Sequence, residues 1–366
     1  TTGVALPFEG QPVQGISGVA RAGDGTYWAV SDNGFGTKAN SPDALLMAHR
    51  MRPDWRTGEV EILETVVLSD PDRVIPFPIA TGHTVGRYLT GADLDPESVR
   101  LAGGLLWFGD EFGPWLIATD MRGRVRHVAS ARLGGRALRS PDHPAIRTPS
   151  LPGAVRFEVA RSRGFEGLAR APEGGRLYAL LEGPLRDPAT GAPETDAEGR
   201  SILRLLEFDL AARDWTGRSW TYPLEAPGHA IGEITMISEH RGLVIERDGG
   251  EGAPELACPE GEAGTDCFPR PARFKRVYLV ELGDPGPVRK LAHLDLMDIA
   301  DPAGRARIGG RDGRFAMPMV TIESVEAVGG GRILVVNDNN LPFSAGRRLD
   351  AADATEWILI DVGELP

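Results

Sequence analysis

Two adjacent carboxylates, Asp110 and Glu111, stand directly after the apolar run LLWFG. Four other apolar runs end the same way. Asp32 follows YWAVS, Glu182 follows LYALL, and the cluster Glu246, Arg247 and Asp248 follows GLVI. Asn337 to Asn340, with Asp338 among them, follow ILVV. Ahead of each run, across a Gly-containing turn, lies a Ser or Glu: Ser17, Glu97, Glu166, Glu233 and Glu323. Asp, Glu and Asn offer hard oxygen donors, which suit Ca²⁺ or Mg²⁺, and a set of about six to eight suits Ca²⁺ best. Carboxylates gathered around one point without a counter-charge repel, raising some pKa values and destabilising the fold, and a bound cation removes that cost. The candidate metal ligands are therefore Glu97, Glu166, Glu233 and Glu323, with Asp32, Asp110 and Asp338. A single Asp or Asn at such a place is as well explained by turn capping. The Glu series is not, because Glu has no special turn preference.

Positive side chains complete the chemistry. Arg247 falls inside one acidic cluster, His83 lies in the Gly-flanked stretch TGHTVGRY, and Lys275 opens the run KRVYLVEL. Together with a cation they would suit a small anionic substrate such as a phosphate ester. In that reading Glu111 or Glu182 is the general base, and Arg247 neutralises charge that develops in the transition state. His83, Arg247 and Lys275 are the expected substrate contacts. No GxSxG, HExxH, Walker A or GxGxxG motif is present, and the seven His show no pair at helical ligand spacing.

The elements that must position these groups recur as a repeat. Each unit has two strand-length apolar stretches joined by a Gly-containing turn such as AGDG or PEGG, which reads as a β-hairpin. Two further strand candidates follow in the first four units. They are LLMAHRM and GEVEILETVVL, WLIATDM and RVRHVASARL, ILRLLEFDL and GRSWTYPL, and RVYLVEL and PVRKLAHL. The fifth shows only EWILIDV, and residues 1–10 are expected to supply its last strand and close a ring. Four antiparallel strands repeated about an axis predict an all-β propeller. Five blades are read from the repeats, and a sixth would have to come from around 69–95 or 294–320. A β-sandwich with coincidental similarity is the alternative. In a hairpin the residue before the first strand lies beside the residue after the second, so the acidic ends should share one rim. The stretch HLDLMDIADP is the best helix candidate. The expectation is one domain over 1–366, with a loop insertion at about 248–272.

Composition narrows the function. The 366 residues are 41% hydrophobic, with 47 Gly and 29 Pro, which fits a large core with many turns. The net charge of −12 argues against non-specific nucleic-acid binding and agrees with cation binding. No apolar run reaches transmembrane length. Cys258 and Cys267 lie in ELACPEGEAGTDCFP without a second ligand pair, so a local disulfide is expected rather than a zinc site. A disulfide, together with a start at TTGVALPFEG, suggests a processed secreted or periplasmic protein. A monomer is expected.

The segments DPESV…LLWFGDEFGPWL, GFEGLA, IERDGG…KRVYLVEL and IESVEA…ILVVNDNN resemble, in this order and over roughly residues 15–345, the phytase-like domain family described as having esterase-like activity of phytase. The resemblance implies a secreted or periplasmic propeller and, by analogy with calcium-dependent propeller phytases, a phosphoesterase. The matched positions are Glu97, Asp110, Glu111, Glu166, Glu233, Glu246, Arg247, Asp248, Lys275, Glu323, Asn337, Asp338 and Asn339. Propeller phytases line their phosphate site with several Lys and Arg, whereas this chain has only Lys38, Lys275 and Lys290, which argues against phytate itself. Two other readings fit the same rim: a lactonase or glycosidase, the latter needing paired carboxylates, and a non-catalytic calcium-stabilised binding propeller.

Overall fold

The computed structural model describes residues 11, 13, 15–144, 157–260, 266–340, 343–350 and 353–365. These residues are all-β, with one 3-10 turn at Pro254–Leu256 and no α-helix. The first sheet runs Ile16–Arg21, Tyr27–Ser31, Met47–Asp54 and Glu59–Val67. The second runs Pro96–Ala102, Leu105–Asp110, Trp115–Thr119 and Val125–Ser130. The third runs Phe165–Arg170, Arg176–Leu181, Ile202–Asp209 and Asp214–Pro223. The fourth runs Ala230–Met236, Arg241–Arg247, Lys275–Glu281 and Arg289–Asp295. The fifth holds Ile322–Gly329, Arg332–Asn337 and Trp357–Asp361. Within each sheet, strands pair antiparallel with their neighbours in sequence. The first strands of the five sheets pack against one another in a closed cycle, with the fifth returning to the first. Sheets arranged radially around a ring of inner strands form a β-propeller.

The cores explain the sequence pattern. Five apolar clusters fill the five gaps between neighbouring sheets. Each inner hairpin is covered on both faces, so its strands read as continuous apolar runs rather than as an alternation. In LLWFG, Phe108 points into the core shared with the first sheet, and Trp107 into the core shared with the third. Close approach also fixes residue type. A Cβ on Gly232 would lie 1.9 Å from the Ile322 carbonyl oxygen, and one on Gly164 would lie 2.3 Å from that of Glu111.

Two sequence expectations meet a different outcome. HLDLMDIADP is not helical: it ends one strand, turns, and enters the two-residue strand Ile299–Ala300. Its apolar residues Leu296 and Ile299 serve the core between the fourth and fifth sheets, where β-pairing overrides a short amphipathic pattern. The proposed closing strand at 1–10 lies outside the described residues. Among the described residues, 69–95 forms a loop with isolated bridges, and 294–320 contributes a small three-stranded sheet of two-residue strands. No helix among the described residues is long and apolar enough to cross a membrane.

Cys258 and Cys267 form a disulfide with Cα atoms 4.8 Å apart. It straps a loop that leaves the fourth sheet at Arg247 and returns at Lys275. Replacing both cysteines with serine is expected to lower the unfolding free energy by about 2–3 kcal/mol, the loop-closure contribution for a ring of this size. Urea unfolding checks this, and an unchanged midpoint would show that the strap adds nothing to the fold.

Candidate functional site

The inner hairpins share a local irregularity that builds the site. Pairing jumps by one residue between Ile16 and Gly18, Pro96 and Ser98, Phe165 and Gly167, Ile231 and Glu233, and Ile322 and Ser324. Each jump is a β-bulge, which leaves one residue unpaired and re-aims its side chain. The bulged residues are Ser17, Glu97, Glu166, Gly232 and Glu323. One residue beyond the far end of each hairpin's pairing, or at its last pair in the fourth sheet, stand Asp32, Glu111, Glu182, Arg247 and Asp338. The propeller thus presents two rings at one end. The fourth sheet breaks both, supplying Gly and Arg where others supply acid or Ser.

The structure brings several of these carboxylates to ligand distance. Oxygens of Asp95, Glu97 and Glu111 lie within 4.8 Å of one another, and so do oxygens of Glu111, Glu166 and Glu182. Glu111 belongs to both groups. Glu111, Glu166, Glu182 and Glu323 are buried, and Glu97 is half-buried. Arg247 is the central counter-charge. Its Nη2 lies 3.5 Å from Glu166, 3.2 Å from Glu182 and 3.4 Å from Glu323. Glu182 also accepts a hydrogen bond from Arg163. Two guanidiniums cannot balance so many acids. Burial and then neighbouring carboxylates push Glu97, Glu111, Glu166 and Glu323 well above the ordinary range, with Glu182 the foremost neighbour for Glu111 and Glu166. Asp32 is raised in the same way by burial, Asp338 and Asp95. Burial lifts Asp338 to about 6. For Arg247, burial pulls down, but Glu182, Glu323, Glu166 and Glu111 together hold its pKa above the usual guanidinium value. The buried Oε1 of Glu111 has no hydrogen-bond partner among the described residues, and that of Glu166 meets only the Arg247 guanidinium. An all-oxygen donor set of buried acids that outnumber their counter-charges fits a hard divalent cation.

Other predicted residues land elsewhere. Glu233 is not the equivalent of Glu97, Glu166 and Glu323: in the fourth sheet the bulge falls on Gly232. Glu233 is paired with Ile245 and turns its carboxylate to Arg100, 3.0 Å away, while accepting from the Leu168 and Ile234 amides at 2.8 Å each. Burial raises it to about 8 despite Arg100. Asp110 is buried but faces its own loop, accepting from the Asp95 amide at 2.8 Å and the Gly113 amide at 2.7 Å. Burial lifts it to about 7. Glu246 points away from the rim to Tyr222, His229 and Lys290. Lys275 is fully buried and clamps the loop start, donating to the Asp248 and Gly250 carbonyls at 2.8 and 2.9 Å and pairing with the Asp248 carboxylate at 2.8 Å. Its three donors are used, which leaves none for a substrate. His83 is exposed on a loop braced by the buried Arg87–Asp70 pair and is not drawn into the acidic group.

Sequence reasoning missed Asp95, Arg163, Lys38 and Arg100. Asp95 hydrogen-bonds Glu97 and accepts from Asn33, and burial raises it to about 6. Lys38 donates to the Asp142 carbonyl at 2.9 Å beside the Phe112 ring, and its charge faces Asp110, Asp142, Asp93 and Asp95. Arg100 lies deeper in the ring, bonded to the Val19, Val99 and Ile234 carbonyls and pairing with Glu233 and, at 3.2 Å, Glu326. A readable signal existed for Arg100 and Glu326. Both occupy the inner-strand position where other repeats have Ala20, Ala169 and Thr235.

Several known proteins resemble the chain in part. A secreted protein of Arthroderma benhamiae described as uncharacterized is 25% identical over 270 residues, which are 59% of this chain and 50% of that protein. The chain thus spans about half the length of the curated relative it matches. Among solved structures, a luciferin-regenerating enzyme is similar with a TM-score of 0.42 and 10% identity, covering 96% of this chain and 80% of its own. A periplasmic gluconolactonase of Pseudomonas aeruginosa has a TM-score of 0.37 and 13% identity, covering 94% and 88%. The sequence model of the phytase-like family, described as esterase-like activity of phytase, matches residues 11–341, and the chain belongs to that family.

Proposed function

We propose that the protein is a secreted, calcium-dependent hydrolase of small anionic esters, phosphoric esters foremost, acting at the acidic end of the ring. The observation that carries this reading is the pair of carboxylate groups that share Glu111, whose buried acids outnumber the guanidiniums of Arg247 and Arg163 beside them. The family's description supports ester hydrolysis. The disulfide and the secreted relative support an extracellular or periplasmic place.

Asp95, Glu97, Glu166 and Glu182 would hold the ion, which when bound would polarise an ester oxygen and acidify water. The chain's own groups divide the remaining work. Arg247 is buried, permanently charged and positioned to neutralise an anionic ester oxygen. Of the two candidate bases, Glu182 is already engaged by Arg163 and Arg247. Glu111 retains a free oxygen, so it is the residue placed to take a proton from water.

Glu166→Gln keeps the size and removes one charge. It is expected to weaken calcium binding and to lower kcat/KM on an aryl phosphate by at least about tenfold, the effect of about 1.4 kcal/mol of lost transition-state stabilisation. Parallel assays on an aryl ester and a lactone separate substrate classes. A Glu166→Gln protein that binds calcium and hydrolyses as the parent does would sink the proposal.

A further inference from the structure

The disulfide-strapped loop forms more than a cover. Together with the connection between the fourth and fifth sheets it encloses an open cavity of about 800 Å³. Strand direction fixes where this cavity lies. Inner strands start at the acidic end, so the loops after the second strand of each sheet, and the connections between sheets, belong to that same end. The cavity wall begins at Ala253, six residues beyond Arg247, and Lys275 pins the intervening backbone at Asp248 and Gly250. Such a volume is the size of a small-molecule site.

Its lining has two characters. Leu256, Met297, Ile308 and Pro318 provide an apolar floor, and Leu256 and Ile308 are exposed hydrophobics. Arg273, Arg311, Arg347 and Arg348 stand around it with one acid, Glu255. Three of these arginines are already engaged: Arg347 with Asp353 and Glu356, Arg348 with Asp350, and Arg311 with Glu255 and Asp312. Arg273 has no carboxylate partner among the described residues, although its backbone amide is anchored on Asp248. An uncompensated guanidinium beside an apolar floor recognises an apolar body carrying one negative group.

We infer that this cavity binds a soluble amphipathic anion, its apolar part on Leu256, Met297, Ile308 and Pro318 and its charged group on Arg273. The cavity's lining shares no residue with the two rings, and the inference does not depend on their being catalytic.

The test uses the full chain carrying Glu166→Gln and probes without an ester bond, so that binding is read separately from hydrolysis. The probes are 1-anilinonaphthalene-8-sulfonate by fluorescence, and octanesulfonate against octanol by competition. Saturable binding is expected, with octanesulfonate displacing the probe at least about tenfold better than octanol. Arg273→Ala and Ile308→Glu should each raise Kd by at least about tenfold. Both positions are exposed, and an unchanged melting temperature confirms that the variants fold. Probe affinity unaffected by either substitution would overturn the inference, as would equal competition by octanol. So would Arg273-dependent sedimentation with phosphatidylglycerol vesicles in the absence of monomeric binding, because that would make the patch a membrane contact.

Discussion

Arg100→Ala is expected to lower the unfolding free energy by about 3–5 kcal/mol, the effect of removing one partner from a buried charge pair. For 366 residues, at about 2.1 cal/mol/K of unfolding entropy each, that corresponds to a fall of about 4–6 °C in melting temperature. The guanidinium bridges strands from four sheets. It donates to carbonyls of the first, second and fourth, and it pairs with Glu233 of the fourth and Glu326 of the fifth. Its loss strands three carbonyl oxygens and two buried carboxylates at once. Adding Glu233→Gln should recover part of the deficit, because an amide there needs no counter-charge. Calorimetry on the single and double variants checks both statements. An Arg100→Ala protein that melts with the parent would show that this bridge contributes nothing to holding the sheets together.

Removal of divalent cations is expected to make the protein least stable at alkaline pH. A carboxyl whose folded pKa exceeds its unfolded value keeps its proton in the folded chain after the unfolded chain has lost it. It therefore stabilises the fold below its ordinary pKa and gives up that contribution as the pH rises through the folded value. Asp95 and Asp338 sit at about 6, Asp110 at about 7 and Glu233 at about 8, each raised chiefly by burial. Glu97, Glu111, Glu166 and Glu323 are raised as well. Stability of the chelated protein should thus decline from about pH 5 to about pH 8. On the proposed reading calcium would compete with the protons of Asp95, Glu97 and Glu166, so its stabilisation should be small at the acid end and full at the alkaline end. At about 100 times Kd it adds about 2.7 kcal/mol, or about 3–4 °C here. A calcium response equal at both pH values, or absent at both, would show that protons and cation do not share the site.

The hairpins, their acidic ends and the ring were legible because they follow from apolar runs and turn residues, which are local. The misplaced residues trace to features that no linear pattern carries. Glu233 matched the other glutamates by type, but the bulge in its strand falls one residue earlier, on Gly232, where the neighbouring Ile322 carbonyl leaves no room for a side chain. Asp110 and Glu111 are adjacent in sequence, yet one serves its loop and the other the site, because alternate residues of a strand face opposite ways. Lys275 reads as a free cation until the loop it clamps is folded around it. Asp95 lies two residues before a recognised anchor and was passed over because it falls outside the repeated pattern.

The core between the first and fifth sheets has a consequence in time. Ile16, Val19 and Tyr27 on one side meet Leu334 and Val336 on the other. As the chain leaves a ribosome or a secretion channel, the first sheet can form early, but its partner is the last of the five to be made. Until then one apolar face stays bare, and long-range closure of this kind is slow. The joint that completes the ring is therefore also where a nascent chain is most exposed to aggregation, and where a chaperone holding the first sheet would act longest.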